Sequence, residues 1–220
     1  MLITEKSKRK NNPSLCKICC VGEPMIELSN FSGGGRQPFF SVAGDTLNTA
    51  VYLKRILGQR AEIIYLTVLG KDPLSFQIQD FIVSEQIDTR FIRNRVDKNC
   101  GIYLIQNDNS GERTFHYWRD NSAARTLFES EDDFKCLGEA DIIYLSGITI
   151  AILGQQQQEK LVKWLGKQGQ EKIILFDINF RHNLWPNLSK AREILKKAMK
   201  DATLCFPSKE DLFAIFGFTG

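Results

Sequence analysis

Short apolar runs alternate along this chain with longer stretches in which apolar side chains recur every three or four positions. The runs fall at 18–21, 63–68, 142–145, 173–176 and 203–206 and are rich in β-branched residues. Runs of that length, with little polar interruption, predict strands covered on both faces. Between them Leu74, Ile78, Phe81 and Ile82 predict one helical stripe. Leu161, Val162 and Leu165 predict a second, and Ala191, Ile194, Leu195 and Ala198 a third. A further helix is predicted from near Thr46, carried by Ala50, Val51, Ile56 and Leu57 and stopped at Gly58. Strands alternating with helices predict an α/β fold, a doubly wound and mostly parallel sheet with helices on both faces.

Two regions break the rhythm. Residues 25–40 hold a short apolar strand and a Gly33-Gly34-Gly35 turn. Residues 101–119 read as a hairpin connected by Asp108-Asn109-Ser110-Gly111. Asp72-Pro73 predicts a helix cap and first helical residue. The glutamine run 155–158 predicts the exposed start of a helix.

In an open α/β sheet, ligands collect outside the carboxyl ends of the strands. Gly22-Glu23, Gly70, Ser146-Gly147, Asp177-Ile178-Asn179 and Pro207-Ser208 share that rim, and the strands before Gly44-Asp45-Thr46-Leu47-Asn48 bring it there too. Gly44 admits a ligand to the backbone, Asp45 accepts from hydroxyls, and Asn48 both donates and accepts. The opening of a helix also favours an anion. The plainer reading makes Asp45 an N-cap and leaves Asn48 solvated. Two further polar clusters follow: Gly111-Glu112-Arg113-Thr114-Phe115-His116-Tyr117-Trp118-Arg119 and Asp177-Ile178-Asn179-Phe180-Arg181. Tyr117 and Trp118 also fit simple packing on alternate faces of a strand, and Arg119 taken alone fits a solvated surface position. His116 and His182 lack partners at ligand or triad spacing, so neither is assigned a catalytic role.

Composition narrows the classes. At 220 residues one domain is the default, and 43% hydrophobic and 25% charged residues are those of an ordinary globular protein. A net charge of +3 suits an anionic small molecule and does not argue for nucleic acid. No apolar stretch approaches the roughly 20 residues that span a bilayer. Residues 1–15 are polar and basic and predict a disordered tail rather than a signal peptide. Six cysteines without an export signal fit a reducing cytoplasm. Cys16-Lys17-Ile18-Cys19 has the spacing of a metal half-site, but with two histidines and no second pair it reads as a buried strand, and no metal ligand is assigned.

Together with Gly22-Glu23-Pro24-Met25-Ile26-Glu27-Leu28, these clusters resemble the ribokinase-like (PfkB) carbohydrate kinases over about residues 19–217. The resemblance is strongest to the branch acting on 2-keto-3-deoxygluconate, where GDTLNTAVYL, GERTFHYWR and LSGI followed by AIL stand in the same order. It implies that residues 16–220 form a kinase domain in which 25–40 and 99–119 supply a small β lid over the sugar. Gly44, Asp45 and Asn48 would grip the sugar hydroxyls. Tyr103, Tyr117 and Arg119 would come from the lid, and Arg119 or Arg181 would pair with the substrate carboxylate. Asn179 and Arg181 would face nucleotide phosphates. Asp177 would stand near metal-bound phosphate or only cap its turn. Ser208 and Asp211 replace an Asn and a Glu usual in a magnesium-associated motif, and Ala43 replaces a usual glycine, so the cofactor role of Ser208 is a departure.

The implied substrate is a small sugar acid, with ATP and magnesium as cofactors of the full-length enzymes. The implied partner is a second copy through the lid or a complementary C-terminal chain. The family's catalytic base lies in a Gly-Ala-Gly-Asp type segment, and none occurs among residues 1–220. The resemblance therefore implies a base beyond Gly220, and no catalytic residue is assigned within the chain. The expectation is a fold lacking its C-terminal part, with an uncovered strand edge and no phosphoryl transfer by the chain alone. The alternative is a non-catalytic sugar-acid-binding remnant or one half of a split kinase.

Overall fold

The main sheet has five strands: β1 (Cys16–Val21), β4 (Ala61–Leu66), β9 (Ile142–Ser146), β10 (Ile173–Asp177) and β11 (Leu204–Phe206). They pair in the order β11-β10-β9-β1-β4, every neighbouring pair parallel. The computed structural model describes residues 15–29, 39–107, 112–168 and 171–218. The predicted tail up to residue 14, the Gly33-Gly34-Gly35 turn and the hairpin connection 108–111 lie outside those residues. So does Gly220, the position beyond which the base is expected, and the described residues leave that expectation untested.

The central strands are apolar on both faces because both are covered. On β1, Ile18 and Cys20 join a core with Leu47, Ala50 and Val51 of α1 (Asp45–Leu57) and with Ile78 and Ile82 of α2 (Pro73–Ser84). Cys19 and Val21 point the other way, into a larger core. There they meet α3 (Glu131–Glu139), α4 (Gly147–Ala151), α5 (Gln155–Lys167), α6 (Leu188–Asp201) and Ile215 of α7 (Lys209–Phe216). All four residues of the predicted α6 stripe are buried.

Four departures are seen, three of them with local causes. The predicted run 63–68 breaks at Thr67: β5 (Val68–Gly70) leaves the main sheet to pair with β6 (Arg93–Arg95). Ile56 is exposed, because the buried face of α1 is carried by Thr46, Leu47, Ala50 and Val51. Gln158 is buried and donates to the carbonyls of Ile150 and Leu153, closing the end of α4. Cys16 is exposed, whereas Cys19 and Cys20 are fully buried.

A second sheet stands apart. Its strands are β2 (Met25–Ser29), β3 (Phe39–Ala43), β7 (Gly101–Asn107) and β8 (Arg113–Trp118), in the order β3-β2-β7-β8. The predicted hairpin is β7–β8, with Tyr103 opposite Tyr117 and Ile102 opposite Trp118. This sheet sits over the rim from which α1 starts.

Candidate functional site

The rim segments after β1, β9, β10 and β11 follow the carboxyl ends of parallel strands, whereas residues 44–48 are brought there by β3 of the second sheet. At the start of α1, Gly44 takes the N-cap position without a side-chain cap bond. A Cβ on Gly44 would lie 2.6 Å from the Glu23 carbonyl oxygen, so glycine is needed for this close approach. Asp45 is the first helical residue, and its carboxylate makes no cap. Instead its Oδ2 accepts from Nδ2 of Asn179 at 3.1 Å. Asn179 itself has φ +35°, a left-handed backbone that Asn tolerates better than most side chains. Asn48 is exposed one turn further along α1.

Asp177, at the end of β10, is half-buried and accepts from the Tyr144 hydroxyl at 3.4 Å. Burial pushes its carboxyl above the ordinary aspartate value, and the nearby Asp45 charge adds to this.

The lid supplies an aromatic face. Registers place Glu27, Tyr103 and Tyr117 on one side of it, and Phe115 joins them. The Tyr103 ring lies 5.8 Å from Tyr117, and Phe115 stacks at 6.4 Å from Tyr117. The Tyr103 hydroxyl donates to Glu27. Burial first, and then that bond, raises the phenol above its usual range. Trp118 occupies the opposite side of β8.

Two cavities meet at Arg181. One, of about 340 Å³, lies between lid and rim and is lined by Phe115, Tyr117, Arg119, Ile148, Arg181 and His182 among others. The other, of about 610 Å³, is lined by Asp177, Asn179, Arg181, Ser208 and Asp211 among others. Arg181 is exposed and lines both. The structure thus brings together Tyr117, Arg119 and Arg181 in the first cleft, and Asn179, Arg181 and Ser208 in the second. Asp45 joins through Asn179 and Tyr103 through Tyr117. Gly44 and Asn48 line neither cleft.

Two of these side chains are already engaged. Ser208 caps α7: its hydroxyl oxygen accepts from Asp211 N at 3.1 Å, while Asp211 accepts from Ser208 N at 2.9 Å and from Phe180 N at 2.8 Å. The pair fixes the loop after β10 rather than presenting a free carboxylate. Arg119 is buried and donates from Nη2 to the buried carboxylate of Glu23. Sequence reasoning placed Glu23 on the rim but gave it no role. It stands at the rim in the Gly22-Glu23-Pro24 turn, and a carboxylate amid so apolar a segment was the available signal.

His116 contacts Gln106 across the hairpin at 3.2 Å, and His182 stacks on Phe180. Asp72 caps α2, accepting from Leu74 N and Ser75 N at 3.0 and 3.1 Å. Among the described residues no three His, Cys, Asp or Glu side chains converge as metal ligands. No helix among them is long and apolar enough to cross a membrane.

The structure is a parallel α/β sheet with polar groups gathered at its carboxyl rim beneath a smaller β sheet. The chain belongs to the pfkB family carbohydrate kinases, whose family model matches residues 16–220. It is 35% identical over 206 residues to the 2-dehydro-3-deoxygluconokinase of Escherichia coli K12, a match covering 91% of this chain and 66% of that protein. The enzyme of the same name from Haemophilus influenzae is 36% identical over 211 residues, covering 91% of this chain and 65% of the relative. The chain therefore spans just under two thirds of the length of these relatives. Among solved structures, a sugar kinase from Pyrococcus horikoshii in complex with ATP superposes with a TM-score of 0.77 at 23% identity, covering 91% of this chain and 66% of that one. The mostly parallel ribokinase-like fold is thus shared.

Proposed function

We propose that this chain is the sugar-holding portion of an ATP-dependent kinase acting on a small sugar acid, 2-dehydro-3-deoxygluconate or a close relative. The observation that carries the reading is Arg181, shared by a cleft under the lid and a cleft along the rim. The lid-side cleft suits a polyhydroxylated acid: Tyr117 offers an aromatic face and a hydroxyl, and guanidinium groups match a carboxylate with parallel hydrogen bonds. The rim-side cleft, with Asn179 and Arg181, suits phosphate oxygens. Asp45 would orient hydroxyls from the first turn of α1. Phosphoryl transfer is mostly a matter of positioning and charge neutralisation, and two adjoining clefts that share a cation suit donor and acceptor placed end to end. The relatives named 2-dehydro-3-deoxygluconokinase favour the acid over a neutral ketose. The work is assigned to the cytoplasm.

Transfer by these 220 residues alone is not part of the proposal, because the Gly-Ala-Gly-Asp type segment that the resemblance ties to the base does not occur among them. Calorimetric titration tests the reading. 2-Dehydro-3-deoxygluconate is expected to bind more tightly than D-fructose, and Arg181→Ala is expected to erase that preference. A folded chain that binds no sugar acid overturns the sugar-holding role. Robust turnover of ATP and sugar by the purified chain overturns the incomplete-machinery half.

A further inference from the structure

The Glu23–Arg119 pair is the most buried ion pair among the described residues, with side chains 1% and 6% exposed. It joins the turn after the interior strand β1 to the exit of lid strand β8, 96 positions apart in sequence. The contact is half-made. Glu23 Oε1 and Arg119 Nε are both buried and neither has a hydrogen-bond partner. The space for the carboxylate comes from a glycine: a Cβ on Gly101 of β7 would lie 2.7 Å from Glu23 Oε1. Arg119 meanwhile lines the cleft that Arg181 also lines. Its guanidinium lies 5.8 Å from the Tyr117 ring centroid.

Two arginines and one exposed carboxylate, Asp120, line this cleft, so its net charge depends on whether Arg119 is neutralised. Glu23 neutralises Arg119 from beneath. We propose that Glu23 is a specificity-setting, positioning residue. It holds Arg119 as one half of a neutral pair, so that Arg119 serves ligand hydroxyls and only Arg181 is left to attract the carboxylate. The inference rests on the sugar-acid reading of this cleft and adds to it. Glu23 then limits how tightly acidic ligands are held, which matters for an acid that must leave after phosphorylation with still more negative charge.

A buried arginine stripped of its carboxylate is an uncompensated charge, and an anion entering the cleft relieves it. Glu23→Gln keeps the shape and removes the charge. In calorimetric titrations of the full chain it is expected to raise the affinity for 2-dehydro-3-deoxygluconate relative to D-fructose by about tenfold or more. Its thermal midpoint is expected to rise with added 2-dehydro-3-deoxygluconate more steeply than that of the parent. The double variant Glu23→Gln/Arg119→Gln, neutral on both sides, is expected to lose the added acid dependence. An unchanged acid-to-neutral ratio in Glu23→Gln, or equal weakening of both sugars, overturns the proposal and makes Glu23 a purely structural anchor. Should Glu23→Gln fold only with ligand, recovery by the acid but not by fructose supports the proposal, and recovery by neither overturns it. A parent chain that binds no sugar acid sinks the underlying reading of the cleft instead, so the two failures are told apart.

Discussion

Asn179 donates to Asp45 at 3.1 Å, tying the loop after β10 to the first turn of α1 across 134 positions of sequence. The bond decides what Asp45 is. Spacing alone allowed a helix cap, and a cap would have turned the carboxylate back onto its own backbone. Facing Asn179, it stands instead at the meeting point of two rim segments, close enough to Asp177 for its charge to raise the Asp177 pKa. The left-handed backbone at Asn179 is what aims that side chain.

That geometry can be separated into its bond and its backbone. Asn179→Gly removes the bond and keeps the positive φ without strain. Asn179→Ala removes the bond and strains the backbone, so it is expected to be less stable than the glycine variant by about 1 kcal/mol. Both are expected to lose sugar affinity alike, because both free Asp45. Urea unfolding measures the first comparison and calorimetric titration the second. An alanine variant as stable as the glycine one would show that the loop relaxes.

The Asp177 carboxyl makes a pH prediction. Its pKa is raised in the folded chain, by burial first and by Asp45 second. The folded state therefore keeps a proton that the unfolded state has released. Stability contributed by this group is greatest below the ordinary value of 3.8, declines as pH rises through the raised value, and is constant above it. Asp177→Asn removes the titration. It is expected to exceed the parent in stability at neutral pH, with the gap closing as pH falls toward 3.8. Unfolding curves of both proteins over a pH series give the difference directly, and a gap independent of pH would contradict the assignment.

The layered fold was legible because burial on both faces leaves apolar runs that few other arrangements produce. The α6 stripe and the β10 run are examples, and each lies within one residue of its predicted place. Elements whose stability comes from partners were not legible. The short helix α4 is almost wholly apolar and shows no period, and its end depends on Gln158, which read as solvent-facing. The site divides the same way. Tyr117, Arg119 and Arg181 were visible as residues of suitable chemistry. The pairing of Arg119 with Glu23 was not, because nothing local in a sequence joins a rim turn to the exit of a distant hairpin.

Two glycines offer opposite outcomes from one substitution. A Cβ on Gly147, at the start of α4, would lie 2.0 Å from the backbone oxygen of Ile178. A backbone atom cannot swing away as a side chain does, so Gly147→Ala is expected to cost about 2–3 kcal/mol and to disturb the rim. A Cβ on Gly138, in α3, meets nothing within 4 Å. Gly138→Ala is expected to gain about 0.5–1 kcal/mol by relieving the helix of a flexible residue. Denaturant midpoints decide both, and the same sign for the two would refute the steric account.

The edge strand β11 carries the last prediction. It pairs with β10 on one side, while Leu204 and Phe206 are 52% and 44% exposed, and Phe213 of α7 is also exposed. An unpaired parallel edge bordered by large apolar side chains is a template for another chain. Residues 1–220 expressed alone are therefore expected to associate as concentration rises. Charging the edge with Leu204→Lys and Phe206→Lys should shift them toward monomer while leaving the fold intact, since neither side chain lies within a buried core. Sedimentation velocity across a concentration series reads the effect. The lid offers a competing contact through Phe40 and Trp118, both exposed on one of its faces. Association that survives the edge lysines but is lost in Phe40→Ser/Trp118→Ser would move the contact to the lid. A parent chain that stays monomeric throughout would mean that the twist and shortness of β11 protect the edge without a covering partner.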